Sequence, residues 1–409
     1  MSFLLKAGLV YTGTREIENG WVHVRHGEII EVGSGPPPHA GEVVDEPNCV
    51  AMPGLVNAHD HMYQWATRGY VPDGTLFEWL RALYPVWARI DADTVRIAAR
   101  AAMARLLLSG CTLSTDHHYV FPHGRPGIFE ALVDAARELG LRFHPCRGSH
   151  DPEPGSMCRV VVAPCSPFSV TPQLMRDSAV LARRRGVRLH THLAETLDEE
   201  RFCLEKFGRR PVELMEDLGW VGEDVWYAHG IHLSDAEVDR IAEVKTGIAH
   251  CPSSNMRLGA GACRVEDLVR AGARVGLGVD GAASNEDANL AMEAHQALLL
   301  ARVRSSSPRS LDARTAWRLA TRGGAECLGR DDCGTLEPGK CADIACFRVD
   351  DLAHAGIEDL VAGLALAPPA RAQTVVVDGR VVVRRRRLLT ADEDEVARDI
   401  AATSRRLAG

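Results

Sequence analysis

The sequence predicts a (β/α)8 TIM barrel with a small β-sandwich domain formed from both chain termini. Three observations predict it: strand and helix patterns alternate over roughly 250 residues in the middle of the chain, both ends carry short Val-rich runs between turn signals, and 409 residues exceed one ordinary domain. We expect the N-terminal part of the β-sandwich at residues 1–52, the barrel at 53–333, and the rest of the β-sandwich with a terminal helix at 334–409.

The two ends of the chain show the same pattern of short strands. In residues 1–50 the turns fall at Asn19-Gly20 and His26-Gly27, and in residues 334–389 they fall at Glu337-Pro-Gly and Asp378-Gly. A single β domain built from both ends and packed on a central barrel is the simplest arrangement. A last helix is predicted over Asp392–Leu407 and begins with acidic residues.

The central region repeats a strand followed by a helix. A long Ala- and Leu-rich helix over Ala92–Ser109 is closed by Gly110, and a strand follows at once. Later strands alternate with helices in which apolar residues recur every three or four positions. The predicted strands are Cys111–Asp116, Leu141–Cys146, Arg159–Ala163, Val187–Leu193, Asp224–His229, Lys245–His250 and Arg274–Asp280, and the helices between them include Ser234–Val244 and Arg264–Gly272.

One connection is unusually short. Strand three (Leu141–Cys146) and strand four (Arg159–Ala163) are separated only by Arg147–Cys158, whereas parallel neighbours normally need a crossover helix. These twelve residues could still span about 40 Å when extended, so the return is feasible without a helix. Two explanations stay open: a loop and helix of the natural protein are missing from this sequence, or the deletion is genuine and leaves an exposed apolar strip beside these strands.

Composition and charge exclude several classes of protein. The chain has 47 Lys and Arg against 55 Asp and Glu, and the net charge of −8 argues against nucleic acid as a partner. No apolar run is long enough for a membrane span, and the N-terminus lacks the features of a secretory signal. Twelve scattered cysteines without a disulfide framework fit a reducing, cytoplasmic location. The sequence leaves a homo-oligomer open.

Short motifs place metal-binding side chains at predicted strand ends. His59 and His61 are two residues apart on a strand and therefore point to the same side, while His192 and Asp280 end two later strands. An acidic residue that ends an apolar buried strand is costly unless it is paired or coordinated. Three imidazoles and one carboxylate in this order predict a hydrolytic metal site with room for a water molecule.

The other histidines have either a structural interpretation or two open ones. Three of them are interpreted as structural, either packed in the interior or bonded in a loop: His190, His232 and His250. A further group near the second strand either lines a pocket or sits on an exposed loop, and comprises His117, His118 and His123.

Taken in order, the motifs resemble the amidohydrolase superfamily, specifically its branch of mononuclear aminohydrolases, over nearly the whole chain. In finer detail the chain is similar to 8-oxoguanine deaminases. The stretches that carry this resemblance are His61–Gln64, Thr67-Arg68, Leu80–Trp87, Ala163–Ser169, His192–Glu200, His250–Gly259, Gly278–Asn285 and Gly334–Asp343. Binuclear relatives bridge two metals with a carboxylated lysine on strand four, where this chain has no lysine, so a single metal ion is expected.

The resemblance implies a metal-dependent hydrolytic deaminase. One divalent ion is expected, with zinc as the first choice and Fe2+ as the alternative. Asp280 would be both a metal ligand and the acceptor of the proton from water, and His229 would orient the attacking oxygen. Glu195 would pass a proton to the ring nitrogen and help ammonia leave.

The implied substrate is a purine-like heterocycle, and the first candidate reaction converts 8-oxoguanine to urate. Isoxanthopterin or another pterin, and amino- or chlorohydrolysis of an s-triazine, are the enzyme alternatives; a non-catalytic barrel scaffold is the other. A flat ring needs in-plane hydrogen bonds and apolar faces, which we expect from side chains that flank strand ends. The candidates are Gln64, Arg68, Trp87, His117 and Cys165.

Overall fold

In the computed structural model, residues 2–146 and 156–409 are described, and they form two β-sheets. Eight strands form a parallel barrel, and nine strands from both ends of the chain form a separate mixed sheet. The predicted fold class is confirmed. The strands are β1 Ser2–Tyr11, β2 Glu16–Glu18, β3 Trp21–Arg25, β4 Glu28–Gly33, β5 Glu42–Pro53, β6 Leu55–Asn57, β7 Cys111–Asp116, β8 Arg142–Pro145, β9 Val161–Val162, β10 Arg188–Leu193, β11 Val225–His229, β12 Gly247–His250, β13 Arg274–Leu277, β14 Ile344–Arg348, β15 Thr374–Val377, β16 Arg380–Arg384 and β17 Arg387–Leu388.

The barrel strands are hydrogen-bonded in the order β8-β7-β6-β13-β12-β11-β10-β9. A parallel bridge between Cys146 and Val161 joins the two ends of this order. Because all these pairings are parallel, the C-terminal ends of the strands meet at one mouth of the barrel. Residues that follow those ends are therefore brought together, however far apart they lie in the sequence.

The terminal sheet is shared by both ends of the chain. Strand β5 of the N-terminal segment pairs in parallel with β1 and antiparallel with β14 of the C-terminal segment. The apolar core of this sheet includes Leu5, Val22 and Ile344. Strand β5 ends at Pro53, and β14 begins at Ile344. The domain bounds at 52/53 and 333/334 stay a prediction.

Helices surround the barrel, and most begin at a side chain that caps them. Asp91, Thr196 and Ser234 accept hydrogen bonds from backbone N–H groups in the first turns of their helices, which would otherwise lack partners. The helices are α1 Leu76–Trp87, α2 Ala92–Leu108, α3 Ile128–Leu139, α4 Pro172–Arg184, α5 Leu197–Phe207, α6 Pro211–Asp217, α7 Asp235–Glu243, α8 Pro252–Arg257, α9 Val265–Ala271, α10 Ala282–Asn285, α11 Leu290–Arg304, α12 Ala313–Arg318, α13 Gly324–Cys327, α14 Leu360–Leu366 and α15 Glu393–Ala408, with a 3-10 helix at Met62–Thr67 and a π-helical turn at Leu319–Gly323.

Two elements differ from the sequence prediction. The fourth barrel strand, predicted over Arg159–Ala163, is reduced to Val161–Val162, and the nearby Pro164 has no N–H to offer a ladder. A helix, α14, lies inside the C-terminal segment that was predicted as strands only. Its apolar sequence gives no helical periodicity. The helix packs against α12, where the indole N–H of Trp317 donates to the carbonyl oxygen of Val361 at 3.0 Å, so tertiary contacts support it.

The short connection between the third and fourth barrel strands falls largely outside the described residues, because residues 147–155 are not described. On the described strands, the predicted apolar strip is not exposed: Phe143 is 1% and Val162 is 5% accessible. Residues after the gap return alongside β8, where the N–H of Phe143 donates to the carbonyl oxygen of Met157 at 2.8 Å.

Within the described residues, every helix is too short or too polar to span a membrane.

Candidate metal centre and active-site cleft

The predicted metal ligands meet at the C-terminal mouth of the barrel. His59 and His61 follow β6, His192 lies at the end of β10, and Asp280 follows β13. The Nε2 atoms of His61 and His192 are 3.0 Å apart. Oδ1 of Asp280 lies 3.3 Å from Nε2 of His59 and 3.4 Å from Nε2 of His61. The structure thus brings all four predicted ligands into one cluster.

Each imidazole is held by its other ring nitrogen. Nδ1 of His61 donates to the carbonyl oxygen of His117 at 2.7 Å, and Nδ1 of His192 donates to that of Cys165 at 2.6 Å. A carbonyl oxygen can only accept, so the proton of each neutral ring lies on Nδ1. The Nε2 lone pairs of both rings therefore point into the cluster.

His59 is fixed by a two-step relay. Nδ1 of His190 donates to the carbonyl oxygen of Trp226 at 3.0 Å, which leaves Nε2 of His190 as an acceptor. This Nε2 lies 2.8 Å from Nδ1 of His59, which must be the donor. Nε2 of His59 is consequently a lone pair, and it is buried with no hydrogen-bond partner.

The three histidines predicted as metal ligands are neutral at pH 7. Burial lowers the pKa of His59 well below its usual value and lowers that of His61 to about 3. Burial also lowers the pKa of His192. Three neutral imidazole lone pairs and one carboxylate facing each other would be an unfavourable arrangement without a cation between them. Two overlapping groups of side chains could hold a metal ion: His59, His61, His117 and His192, and His59, His229 and Asp280. The predicted set of three imidazoles and one carboxylate takes its members from both groups, and its donor types fit a divalent metal ion.

The carboxyl group of Asp280 is oriented by short side chains. Its Oδ2 accepts from the hydroxyl of Ser254 at 2.6 Å and from that of Ser284 at 3.2 Å. Its Oδ1 accepts from the N–H of Gly281 at 2.8 Å and faces the histidines. These hydrogen bonds on both oxygens fix the orientation of the carboxyl group, with Oδ1 facing the metal site, as outer partners of metal ligands generally do.

The backbone is strained where the site residues leave their strands. Ala194, His229 and Asp280 have φ values of 53°, 74° and 58°, in the left-handed region that side chains other than Gly rarely adopt. At Gly278, an added Cβ would lie 2.7 Å from the Cβ of His59, so only glycine allows this approach. Such strain is typical of functional sites, where the surrounding structure holds the chain in place.

Glu195 and His229 lie beside the metal cluster. Oε2 of Glu195 is 3.8 Å from Nε2 of His229. Nδ1 of His229 donates to Oδ1 of Asn255 at 3.1 Å, so its Nε2 faces the cluster. Burial raises the pKa of Glu195 to about 7, with His192 opposing and Asp280 adding to this shift. A carboxyl group with this pKa can give and take protons near neutral pH.

A cleft opens above the metal cluster. Its floor is polar and includes His61, Gln64, His192, Glu195 and Asp280. Its walls are mainly aromatic and aliphatic and come from α1, the segment after β7, the segment before α4 and the end of α8: Leu76, Trp79, Leu80, Tyr84, Tyr119, Phe168 and Leu258. Phe77 of α1 and Phe168 meet edge to face, 6.2 Å between ring centres, across the two sides. Such a cleft suits a flat, largely apolar ring.

The structure places two of the five predicted substrate-binding residues in the cleft and three outside it. Gln64 and Cys165 line the cleft, and Oε1 of Gln64 is buried without a hydrogen-bond partner. His117 is buried behind His192, with its ring stacked at 4.7 Å. Trp87 is also buried, and its indole N–H donates to Thr67. Arg68 is exposed and lies over Trp65. The positions of His117, Trp87 and Arg68 do not favour contact with a ligand in the cleft.

Sequence reasoning missed the residues that support the site. His190 was interpreted as a packed interior residue; it is buried, but it also fixes the tautomer of His59. Its spacing two residues before His192 was the available signal, because both side chains then face the barrel interior. Ser254, Asn255 and Ser284 lie in the stretches His250–Gly259 and Gly278–Asn285 that carry the family resemblance, but nothing in the sequence shows their hydrogen bonds to Asp280 and His229.

The comparisons with known proteins agree with this geometry. The model of the Amidohydrolase family matches residues 50–382. An 8-oxoguanine deaminase of Pseudomonas aeruginosa is 43% identical over 91% of this chain and 90% of that protein. An isoxanthopterin deaminase from an unknown prokaryotic organism is 35% identical over 82% of this chain and 81% of that protein. A crystal structure of atrazine chlorohydrolase from Arthrobacter aurescens TC1 complexed with zinc has a TM-score of 0.94 and 31% identity, covering 98% of this chain and 100% of that chain.

The chain belongs to the amidohydrolase family, a class of hydrolytic enzymes built on a metal-binding barrel. Among its relatives it is similar to deaminases that act on C–N bonds of heterocycles. A divalent metal at the histidine cluster is supported both by the donor set and by a structural neighbour with zinc bound.

Proposed function

We propose that this protein is a hydrolytic deaminase with one divalent metal ion, zinc in first place, and that it converts 8-oxoguanine and water to urate and ammonia. The observation that carries this proposal is the position of Glu195, a buried carboxyl group with a pKa of about 7 beside four converging metal donors. A single acid–base group next to a hydrolytic metal site is what replacement of a ring amino group requires. The similarity to an 8-oxoguanine deaminase supports the choice of ring.

His59, His61, His192 and Asp280 would hold the metal ion, which supplies Lewis-acid activation of water at neutral pH. Asp280 accepts a proton from the attacking water. Hydrogen bonds from Ser254 and Ser284 hold its carboxylate in place for this step. His229 orients the attacking oxygen through its Nε2 atom, and Asn255 keeps this ring turned toward the cluster.

Glu195 then protonates the heterocycle. In its neutral form the carboxyl group gives a proton to the ring nitrogen next to the carbon under attack. It takes a further proton from the attacking oxygen and passes it to the amino group, which leaves as ammonia. Water supplies the oxygen of the new carbonyl group and one hydrogen of ammonia. Its other hydrogen, accepted by Asp280, then passes to Glu195 and replaces the proton given to the ring nitrogen, so that the atoms balance.

The charge of the cleft narrows the choice of substrate. No arginine or lysine lines the cleft among the residues that the structure describes, so only the metal ion would offer a positive charge to the substrate there. Gln64 offers an amide whose Oε1 lacks a partner and which complements a lactam edge. A neutral oxo- and amino-substituted ring fits these features.

A panel of substrates tests the proposal. Metal-loaded protein is assayed for ammonia with 8-oxoguanine, isoxanthopterin, guanine, cytosine and hydroxytriazines, and for chloride with a chlorotriazine. We expect the highest kcat/KM for ammonia release from 8-oxoguanine. A higher kcat/KM with isoxanthopterin or a triazine would transfer the assignment to that ring. Folded, metal-loaded protein without activity on any of them would support a non-catalytic scaffold.

A further inference from the structure

Glu199 is a buried carboxyl group that lies outside the cleft and has no part in the chemistry above. It is the third residue of α5, is 1% accessible, and follows Glu195 by one helical turn. Its Oε2 accepts a hydrogen bond from the backbone N–H of Glu195 at 2.9 Å. Glu199 therefore contacts the main chain that carries Glu195.

This contact differs from the usual helix cap in the same chain. A glutamate at the third position of a helix normally reaches back to the backbone N–H of the N-cap residue. Glu78 does so with Thr75 at 3.0 Å, and Glu237 does so with Ser234 at 2.8 Å. In α5 the N-cap is Thr196, whose hydroxyl accepts from the N–H of Glu199. The carboxyl group of Glu199, however, reaches one residue further back, to Glu195.

The contact holds a strained turn. We call residues 193–196 the Glu195 turn; within it Ala194 has a φ of 53°, a conformation unfavourable for a residue with a Cβ. The carbonyl oxygen of Ala194 accepts from the N–H of Ile231 at 2.9 Å and of His232 at 3.0 Å. The carbonyl side of this turn is thus bonded to the segment after β11, and the N–H side is bonded to Glu199.

We propose that Glu199 is a positioning residue, which fixes the Glu195 turn so that the carboxyl group of Glu195 faces the substrate ring. The inference rests on the proposed function, because the orientation of the Glu195 carboxyl group matters only if this group transfers protons to the substrate. Glu199 is not a catalytic residue: it does not line the cleft, and its Oε2 is used by the main chain. Without this acceptor, the N–H of Glu195 would lose its partner and the left-handed conformation of the turn would lose one of its restraints.

The test compares three variants in the metal-loaded, full-length protein. Glu199→Met removes the acceptor at similar size, and Glu199→Gln keeps one carbonyl acceptor. Burial raises the pKa of Glu199 to about 8, so the neutral carboxyl group predominates at pH 7 and Gln is its isostere. Asp198→Asn is the matched control, because Asp198 lies in the same helical turn and its exposed side chain pairs with the exposed Arg201.

We expect Glu199→Met to lower kcat by about 10- to 100-fold with KM changed less than about threefold and one metal ion per chain retained. Glu199→Gln should recover most of the kcat, and Asp198→Asn should match the wild type. If Glu199→Met does not fold, Glu199→Asp, whose acceptor is withdrawn by one methylene group, takes its place with the same expected loss. A merely structural role would lower Tm but leave the kcat of the folded, metal-loaded fraction unchanged.

Two results would overturn the inference: wild-type kcat in Glu199→Met, or an equal loss in Glu199→Met and Glu199→Gln. Glu195→Gln measured in parallel separates this failure from failure of the proposed function. Near-wild-type kcat in Glu195→Gln would remove Glu195 from the mechanism and the inference with it. An inactive Glu195→Gln beside a fully active Glu199→Met would refute the role of Glu199 alone.

Discussion

Each ligand histidine at the mouth of the barrel carries its proton on the side away from the metal site. Carbonyl oxygens fix this for His61 and His192, and His190 fixes it for His59. Burial keeps all three rings neutral, because a charged imidazole would be poorly solvated there. The Nε2 lone pairs are therefore already directed at the metal site without a bound cation.

The grouping of His59, His61, His192 and Asp280 could be predicted from the sequence, because the C-terminal ends of the strands of a parallel barrel meet at one mouth. The expected strand alternation at His59 and His61 was wrong, because β6 ends at Asn57 and both residues follow it. The residues of the cleft walls could not be predicted from the sequence. Trp79 and Phe168 are 89 positions apart in the sequence and meet the same cavity only through packing of α1 against the loop before α4. Gln64 and Cys165 were predicted because they flank predicted strand ends.

The first prediction concerns Glu195. Glu195→Gln keeps the size of the side chain but cannot transfer a proton, so kcat should fall by about 100-fold or more while the metal content stays at the wild-type level. Steady-state ammonia release and elemental analysis of the same samples measure both quantities. Glu205→Gln, on the exposed face of α5, is the control and should behave as the wild type. Unchanged kcat in Glu195→Gln would remove this residue from the mechanism.

The second prediction is the pH dependence of kcat. Burial raises the pKa of Glu195 to about 7, so the proton-carrying form predominates below pH 7 and is lost as the pH rises above it. The kcat should accordingly fall about tenfold per pH unit on the alkaline side. A pH profile from 5 to 9 measures this limb. An alkaline limb that survives unchanged in the residual activity of Glu195→Gln would assign it to another group.

At the scale of elements, short helices on the strand ends bring the polar groups of the site together. α8 contributes Ser254, and α10 contributes Ser284, to the hydrogen bonds on Asp280. A buried glutamate of α11, Glu293, accepts from the N–H of Ser253 and from the side chain of Asn285, and so connects both helices. The sequence shows the strands that lead to this layer, but helices of four and six residues are too short for a periodic pattern.

The third prediction concerns the start of α10. At Gly281, an added Cβ would lie 1.9 Å from Oε1 of Gln64, although the backbone conformation (φ −71°) suits alanine. Gly281→Ala should therefore displace the Gln64 amide and raise KM about tenfold, with a smaller effect on the metal content. Gly41→Ala is the control, since its Cβ would meet only an ordinary contact at 3.6 Å. Equal KM values for the two variants would show that Gln64 does not contact the substrate.

At the scale of the whole molecule, a buried ion pair connects the barrel with the terminal sheet. Arg142 on β8 donates from Nε to Oδ2 of Asp343 at 3.0 Å and from Nη2 to Oδ1 of Asp378 at 3.1 Å. Asp343 immediately precedes β14, and both Arg142 and Asp343 are almost fully buried. The two sheets are thus coupled by charge as well as by apolar contacts.

The fourth prediction follows from this pair. Arg142→Met leaves Asp343 buried without its cation, so the free energy of unfolding should fall by about 3 kcal/mol or more. Denaturant unfolding measures it. Arg137→Met, which removes the solvent-exposed partner of Asp134, should change it by about 0.5 kcal/mol or less. A similar small change in Arg142→Met would show that the pair does not stabilise the assembly of the two sheets.

The architecture of the whole chain was predictable because each of its sheets has a distinct local pattern, with β-branched runs and turns at the ends and strand–helix repeats between them. The short fourth strand and α14 were not predictable. Neighbouring strands determine the length of Val161–Val162, and packing of the surrounding residues determines the conformation of α14. In both cases tertiary contacts override the local pattern.

The central claim, a single metal ion held by His59, His61, His192 and Asp280, is tested most directly by elemental analysis of protein purified without added metal. We predict one divalent ion per chain, zinc in first place, and its loss in His192→Asn but not in His232→Asn. Folded wild-type protein that binds no metal, two ions per chain, or a full metal content in His192→Asn would contradict the account.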